Sequence, residues 1–339
     1  MYRKFFLPFC LVMAVSISSG FKTPLSKKDT PIPTQRQALR TIIIDPGHGL
    51  PDGGADGKNG TESHYALEIA LKLGEQLQQN LPGVKLIFTR TDEYLPDHLS
   101  NKNDALKRRA QIANENHGDL FISIHLNSGS DSYSKEVIDH RTERYYTYTG
   151  KGKKRKKIAH TRTVPVYRYT NLGTNAIGTE TFIWAVGKND SKKSFVGAGE
   201  ETGEPDDSTS SLMFDSPEAK ILASIRTKKF FNYSRMLAEY VQDEFSKQGR
   251  VDRGAKQRDN EGIWVLQATA MPSILVETGF VNNREEEDYL NSDKGQNEVA
   301  YAIMRAVLRY KTSLESGAIP TTPPTTQTTD STQQTNALK

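Results

Sequence analysis

Residues 41–44, Thr-Ile-Ile-Ile, are a short run of β-branched residues with no polar face, which suits a strand buried on both sides. Asp45-Pro46-Gly47 stops that run abruptly. Proline removes a backbone donor and glycine permits geometry that other residues resist, so the strand ends in a tight loop. His48 falls in the loop, a glycine-rich run follows (Gly49, Gly53, Gly54, Gly57, Gly60), and Glu62 then heads an amphipathic helical pattern. The arrangement recurs twice. Leu120–Ile124 is an apolar run followed by His125, and Pro272–Val276 is another, closed by Glu277. Strand ends on one edge of a parallel sheet lie side by side, so residues far apart in sequence can converge there.

His48, Glu62 and His125 together would supply two imidazoles and one carboxylate. That set leaves the fourth tetrahedral position of a zinc ion for water, as hydrolysis requires. Glu277 could take the proton from such a water. Singly, each residue has a plainer reading. A histidine after a strand often only bonds to turn backbone, a first-turn glutamate complements the helix dipole, and Glu277 could be a salt-bridged strand end.

The wider pattern resembles the zinc-dependent N-acetylmuramoyl-L-alanine amidases, the amidase-3 family of peptidoglycan hydrolases. The stretches that carry the resemblance are IIIDPGHG (42–49), the glycine run to TE (61–62), IFTRTDEYL (87–95), LKRRAQIANENHGDLFISIHLNS (106–128), GTETFIW (178–184), SRMLAEYVQDEF (234–245) and RGAKQRDNEGIWVLQATAMPSILVETGFVNN (253–283). They cover most of residues 40–310 in order. The resemblance implies that His48, Glu62 and His125 bind one zinc ion and that Glu277 is the catalytic acid/base. It also implies the substrate, the amide between the lactyl group of N-acetylmuramic acid and L-alanine in peptidoglycan. Residue spacing alone leaves open a zinc carboxypeptidase or deacetylase acting on wall fragments, or a non-catalytic wall-binding protein.

Around these motifs, strand-like runs at 41–44, 84–89, 120–124 and 273–277 alternate with helical patterns at 65–77, 105–114, 234–245 and 298–310. That alternation predicts an α/β domain over residues 40–312 with a twisted, largely parallel sheet flanked by helices. Residues 1–20 read as a secretory signal: Arg3 and Lys4, an apolar stretch too short to span a bilayer, then Ser18-Ser19-Gly20. Residues 21–39 read as a flexible leader and 313–339 as a disordered Thr/Pro/Gln-rich tail. The only cysteine, Cys10, lies in the signal, so the mature chain is expected to have no disulfide and no Cys-based zinc site; no transmembrane anchor is expected in it either. Export to the periplasm is the expected destination, with peptidoglycan as partner and no nucleic acid.

Two segments interrupt the alternation. The first, about 129–178, carries six cations in the seven residues Lys151–Lys157 and reads either as a solvated loop or as a site attracted to anionic wall polymers or headgroups. The net charge of +4 for the whole chain decides neither. The second, about 188–231, contains a helix start at Ser216-Pro217-Glu218 with Ile221, Leu222 and Ile225 on one face. Related division amidases carry an inserted helix here that blocks the site until an activator protein moves it. That resemblance makes Glu218 a candidate autoinhibitory contact at the metal's open position; otherwise the helix packs on the domain and Glu218 complements its dipole.

Overall fold

The computed structural model describes residues 38–185, 187, 189–198, 216–258 and 262–317. The proposed signal, nearly all of the leader and residues 318–339 of the tail lie outside the described residues. Six strands form the central sheet: β1 (Thr41–Pro46), β2 (Lys85–Phe88), β3 (Leu120–Asn127), β6 (Thr179–Ile183), β7 (Asp252–Gln257) and β8 (Ser273–Phe280), in the order β2-β1-β3-β8-β6-β7. Four of the five pairings are parallel and β6–β8 is antiparallel. The largely parallel sheet expected from the sequence is therefore present, and β1, β3 and β8 run side by side at its centre.

The flanking helices are α1 (Glu62–Asn80), α2 (Lys102–Glu115), α3 (Asn189–Ala198), α4 (Pro217–Lys247), α5 (Trp264–Ala268), α6 (Arg284–Leu290) and α7 (Asp293–Ser316). Helix α1 buries Ala66, Ile69, Ala70, Leu73 and Leu77, a spacing of three and four that lays one apolar stripe on the sheet. Helix α7 does the same with Val299, Ile303, Ala306, Val307 and Tyr310, and it outlasts the expected boundary at 312 by one turn. Starts are fixed by side chains that satisfy free backbone N–H groups: Asn101 caps α2, Ser216 caps α4, Asn283 caps α6 and Ser292 caps α7. Among the described residues, no helix is long and apolar enough to cross a membrane.

The first inserted segment is a long antiparallel ribbon, β4 (Ser132–Thr149) paired with β5 (Lys156–Gly173), where a solvated loop was expected. Its strands carry Tyr, Thr, Val and Ile at nearly half of their positions, which favours extended backbone although both faces meet solvent. Cross-strand pairs hold it. Lys157 lies over the Tyr146 ring at 3.7 Å, Tyr145 stacks on His160, and Glu143 accepts from both Arg141 and Arg162. At the root, Asn282 donates to the carbonyl of Gly129 and to Asp131, and Arg284 donates to the carbonyl of Asn171. In the second segment, the helix start at Ser216-Pro217 forms as expected, but α4 runs unbroken for 31 residues through the 234–245 pattern.

Candidate metal centre and active site

The loop after β1 is built so that a histidine can turn back toward the sheet. His48 has φ 55° and Gly49 φ 132°, so the chain reverses in two residues. A Cβ on Gly47 would sit 2.4 Å from the His125 ring, so the absent side chain there is what lets that imidazole stack against the loop. Gly54 has φ 72°, and a Cβ there would meet Glu62 Oε2 at 2.6 Å.

A charged layer beneath fixes the loop. Asp45, 1% exposed, accepts from Thr89 at 2.5 Å, from Ser123 at 2.7 Å and from Arg109. Burial alone would raise its pKa, but Arg109 and the hydroxyls hold it below the usual carboxylate range. Arg109 also donates to the carbonyls of Pro46 and His48. Arg90 donates to the carbonyls of Pro46, Gly47 and Ser63, so two guanidiniums grip three successive carbonyls of residues 46–48. The sequence reading passed over this layer. Its one signal was that Arg109 falls between Ala105 and Ile112 on the apolar face of α2, where a charge needs a buried partner.

Above this layer the ligand-type residues converge. One donor atom each from His48, Glu62 and His125 lies within 4.8 Å of the others. Glu62 Oε2 is 3.3 Å from His48 Nε2, and Glu62 Oε1 is 2.8 Å from His125 Nδ1. Burial pushes the Glu62 carboxyl up, but the two histidines hold it well below the usual range. Burial likewise works against a charged His48, yet Glu62 and Asp52 raise its pKa. His48 Nδ1 pairs with Asp52 at 3.0 Å, which orients Nε2 inward in the way carboxylates steer metal-binding imidazoles. Asp52, a further residue missed in the sequence, is itself paired with Lys102 at 3.2 Å.

Glu277 joins this group through sheet register. It is the parallel partner of His125 on β3 and the antiparallel partner of Glu180 on β6. Its Oε2 is buried with no hydrogen-bond partner among the described residues. Burial, with Glu62 and Glu180 adding repulsion, pushes its pKa up to about 8. Two imidazoles and a carboxylate beside an unpartnered buried carboxyl fit a small divalent cation with one open position. Glu180 is spoken for: it pairs with Lys256 and Arg253 and accepts from Asn127.

All four residues line one cavity of about 530 Å³. Its far wall is Ile263, Trp264 and Val265, and its rim carries Lys102 and Arg258. The wall is tied from below by Lys192 of α3. That side chain is 0% exposed, and its ammonium donates to the carbonyls of Leu266 and Met271 and to the hydroxyls of Thr269 and Ser273. Glu218 is not brought to the centre. It is exposed in the first turn of α4 and is not part of the cavity wall, and Ile221, Leu222 and Ile225 are exposed with it. Neither the packed helix nor a contact of Glu218 with the ligand group is seen in this conformation. Residues 199–215, which precede it, lie outside the described residues.

Known proteins similar to this chain are cell-wall amidases. The profile of the Amidase_3 family, described as N-acetylmuramoyl-L-alanine amidase, matches residues 42–309. An uncharacterised cell wall amidase of Bacillus anthracis is 27% identical over 87% of this chain, which spans 40% of that relative's length. The germination-specific N-acetylmuramoyl-L-alanine amidase of Bacillus subtilis is 24% identical over 80% of both chains. The amidase AmiA of Escherichia coli is 24% identical over 86% of this chain and 81% of its own. Among solved structures, an N-acetylmuramoyl-L-alanine amidase of Clostridium difficile is 25% identical, covers 82% of this chain and 99% of its own, and superposes with a TM-score of 0.49. With the matched span reaching from β1 to the last helix, the chain belongs to the Amidase_3 family of N-acetylmuramoyl-L-alanine amidases.

Proposed function

We propose that this amidase holds one zinc ion on His48, Glu62 and His125 and uses Glu277 as its acid/base. The bond it hydrolyses is the amide between the lactyl group of N-acetylmuramic acid and L-alanine in peptidoglycan. The observation that carries the reading is the convergence of three donor atoms within 4.8 Å beside Glu277, whose buried Oε2 has no hydrogen-bond partner among the described residues. Zinc, when bound, would supply Lewis acidity toward the scissile carbonyl and make water acidic enough to ionise near neutral pH. Glu277 removes the proton of the attacking water and returns it to the leaving nitrogen of L-alanine. In the metal-free fold burial pushes the Glu277 pKa up, and a bound cation would draw it back down, toward the ionised form that accepts a proton. Asp52 keeps His48 turned inward, and Arg90 and Arg109 hold the loop that carries it. Lys102 and Arg258 on the rim offer positive charge to the carboxylates of a stem peptide. Work on the cell wall implies a setting outside the cytoplasm, and export to the periplasm through residues 1–20 is part of this proposal.

The test is digestion of purified peptidoglycan with and without a chelator, with products identified by mass. Free stem peptides beginning at L-alanine, lost with chelator and restored by stoichiometric zinc, are expected. Release of only a terminal amino acid or of acetate would assign a different hydrolase, and activity indifferent to chelator would remove the metal.

A further inference from the structure

We propose that the tip of the β4–β5 ribbon is a docking finger for an anionic lipid bilayer, an interaction independent of the reaction at the cleft. Strands of 18 residues at roughly 3.3 Å per residue carry the tip about 60 Å from its root. Residues 132–173 hold eleven Lys and Arg against three Asp and Glu, a net of +8, while the whole chain is +4. The rest of the chain is therefore net acidic, and the positive charge is gathered on one projection.

Within the ribbon the charge is not spread evenly. Its middle is partly neutralised, because Glu143 pairs with Arg141 at 2.7 Å and with Arg162 at 3.1 Å. Toward the root, Glu136 stands opposite Arg168. From Arg144 to Thr179 there is no acidic residue at all. The six cations of Lys151–Lys157 are all exposed, and among the described residues none makes an ion pair. Two are held in place by ring faces, Lys157 over Tyr146 and Arg155 over Tyr148 at 4.4 Å. Their charge is thus presented outward on an ordered support.

This distribution favours a plane over a strand. A linear polyanion is matched by cations along a groove, whereas here five cations of the shaft are set against three acids and the six at the end against none. A membrane surface rich in anionic headgroups meets such an end directly, and polybasic segments bind it through summed electrostatic attraction. The tyrosines just behind the tip are amphipathic side chains suited to the interface between headgroup and water. The ribbon leaves the body shortly after His125, so docking would hold the cleft at up to a ribbon's length from the bilayer.

The experiment is co-sedimentation of the full chain with vesicles of phosphatidylglycerol and phosphatidylcholine, against phosphatidylcholine alone, at near-physiological and high salt. The comparison proteins carry Gln at Lys153, Lys154, Arg155, Lys156 and Lys157, or Arg at the four lysines among them. Expected are binding to anionic vesicles at least tenfold tighter than to neutral ones, weakening in salt, and at least tenfold loss in the Gln protein. The Arg protein should bind as the natural sequence does, and all three should cleave a soluble muramoyl peptide equally. Equal binding by the Gln protein, or equal binding to neutral vesicles, overturns the proposal. Tip-dependent retention on lipid-free sacculi as strong as on vesicles reassigns the finger to a wall polymer and likewise overturns it.

Discussion

The C-terminal edge of the sheet and the ribbon that grows from it handle charge in opposite ways. At the edge, Asp45, Glu62, Arg90 and Arg109 are each 3–5% exposed or less, and each has several fixed partners. On the ribbon, six cations stand in solvent with no acid nearby. A buried charge must be matched atom by atom, because leaving it unmatched costs far more than the match gains. An exposed charge is screened and individually weak, so its effect comes from number and placement. The edge should therefore respond sharply to single substitutions and the ribbon only to several together.

The sharpest break should come at Glu277. Glu277→Gln keeps the cavity's shape but cannot accept a proton, so amide hydrolysis should fall roughly 10²–10⁴-fold. Zinc content should be unchanged by metal analysis, since Glu277 is not one of the three proposed ligands. Turnover near that of the natural enzyme would remove its role.

Next in size is the layer beneath. Arg109→Met leaves Asp45 as a buried anion, removes the donor to the carbonyl of His48 and leaves that of Pro46 to Arg90 alone. Loss of one partner from a buried ion pair costs about 3–5 kcal/mol, readable by denaturant unfolding of the metal-free protein. A loss below about 1 kcal/mol would mean that the site edge tolerates charge mismatch as the ribbon does.

A smaller effect concerns pH. In the metal-free fold Glu277 keeps its proton until about pH 8, whereas its ordinary value is 4.5. The folded state thus binds more protons than the unfolded chain between these values, and stability from this group falls as pH rises through that window. Glu277→Gln removes the group, so its unfolding free energy should gain on that of the natural protein between pH 5 and pH 9, on the order of 1–3 kcal/mol, read from denaturant midpoints. Parallel midpoints across the range would show that burial does not hold the proton.

The smallest effect should come from shortening the ribbon to a tight turn after Lys135 and before Thr170. Because its side chains pack chiefly on one another, the unfolding midpoint should shift by less than about 0.5 kcal/mol equivalent. Hydrolysis of a soluble muramoyl peptide should stay within about twofold. A large loss would show that the ribbon supports the site edge.

Much of the site could be read from the chain because strand ends announce themselves locally. Ile-Ile-Ile before Asp-Pro-Gly-His and Ile-Leu-Val before Glu are contrasts in residue type over a few positions, and parallel pairing then brings their ends together. Asp45 and Arg90 were not legible, since their meaning lies in partners tens of residues away, and Asp52 was missed because only the path of the loop brings it to His48, four residues earlier. The ribbon was misread because both its faces are solvated. Without an apolar side, the alternation that marks a strand is missing, and a run of lysines looks like any exposed loop. Ser216-Pro217 was legible as a helix start because capping is local. Where that helix points is decided by tertiary packing, and here Glu218 faces solvent.

The buried ammonium of Lys192 gives the two inserted segments different evolutionary prospects. Among the described residues the ribbon is held to the body at its root, so it can be lengthened, recoloured with other side chains or lost without disturbing the sheet. The second segment has sent a lysine under the floor of the cleft, where it answers the carbonyls of Leu266 and Met271 just ahead of β8. Cutting that segment out would strand those acceptors in an apolar interior. One insertion is an appendage that a lineage can trade, whereas the other has become part of the foundation and can change only around its anchor.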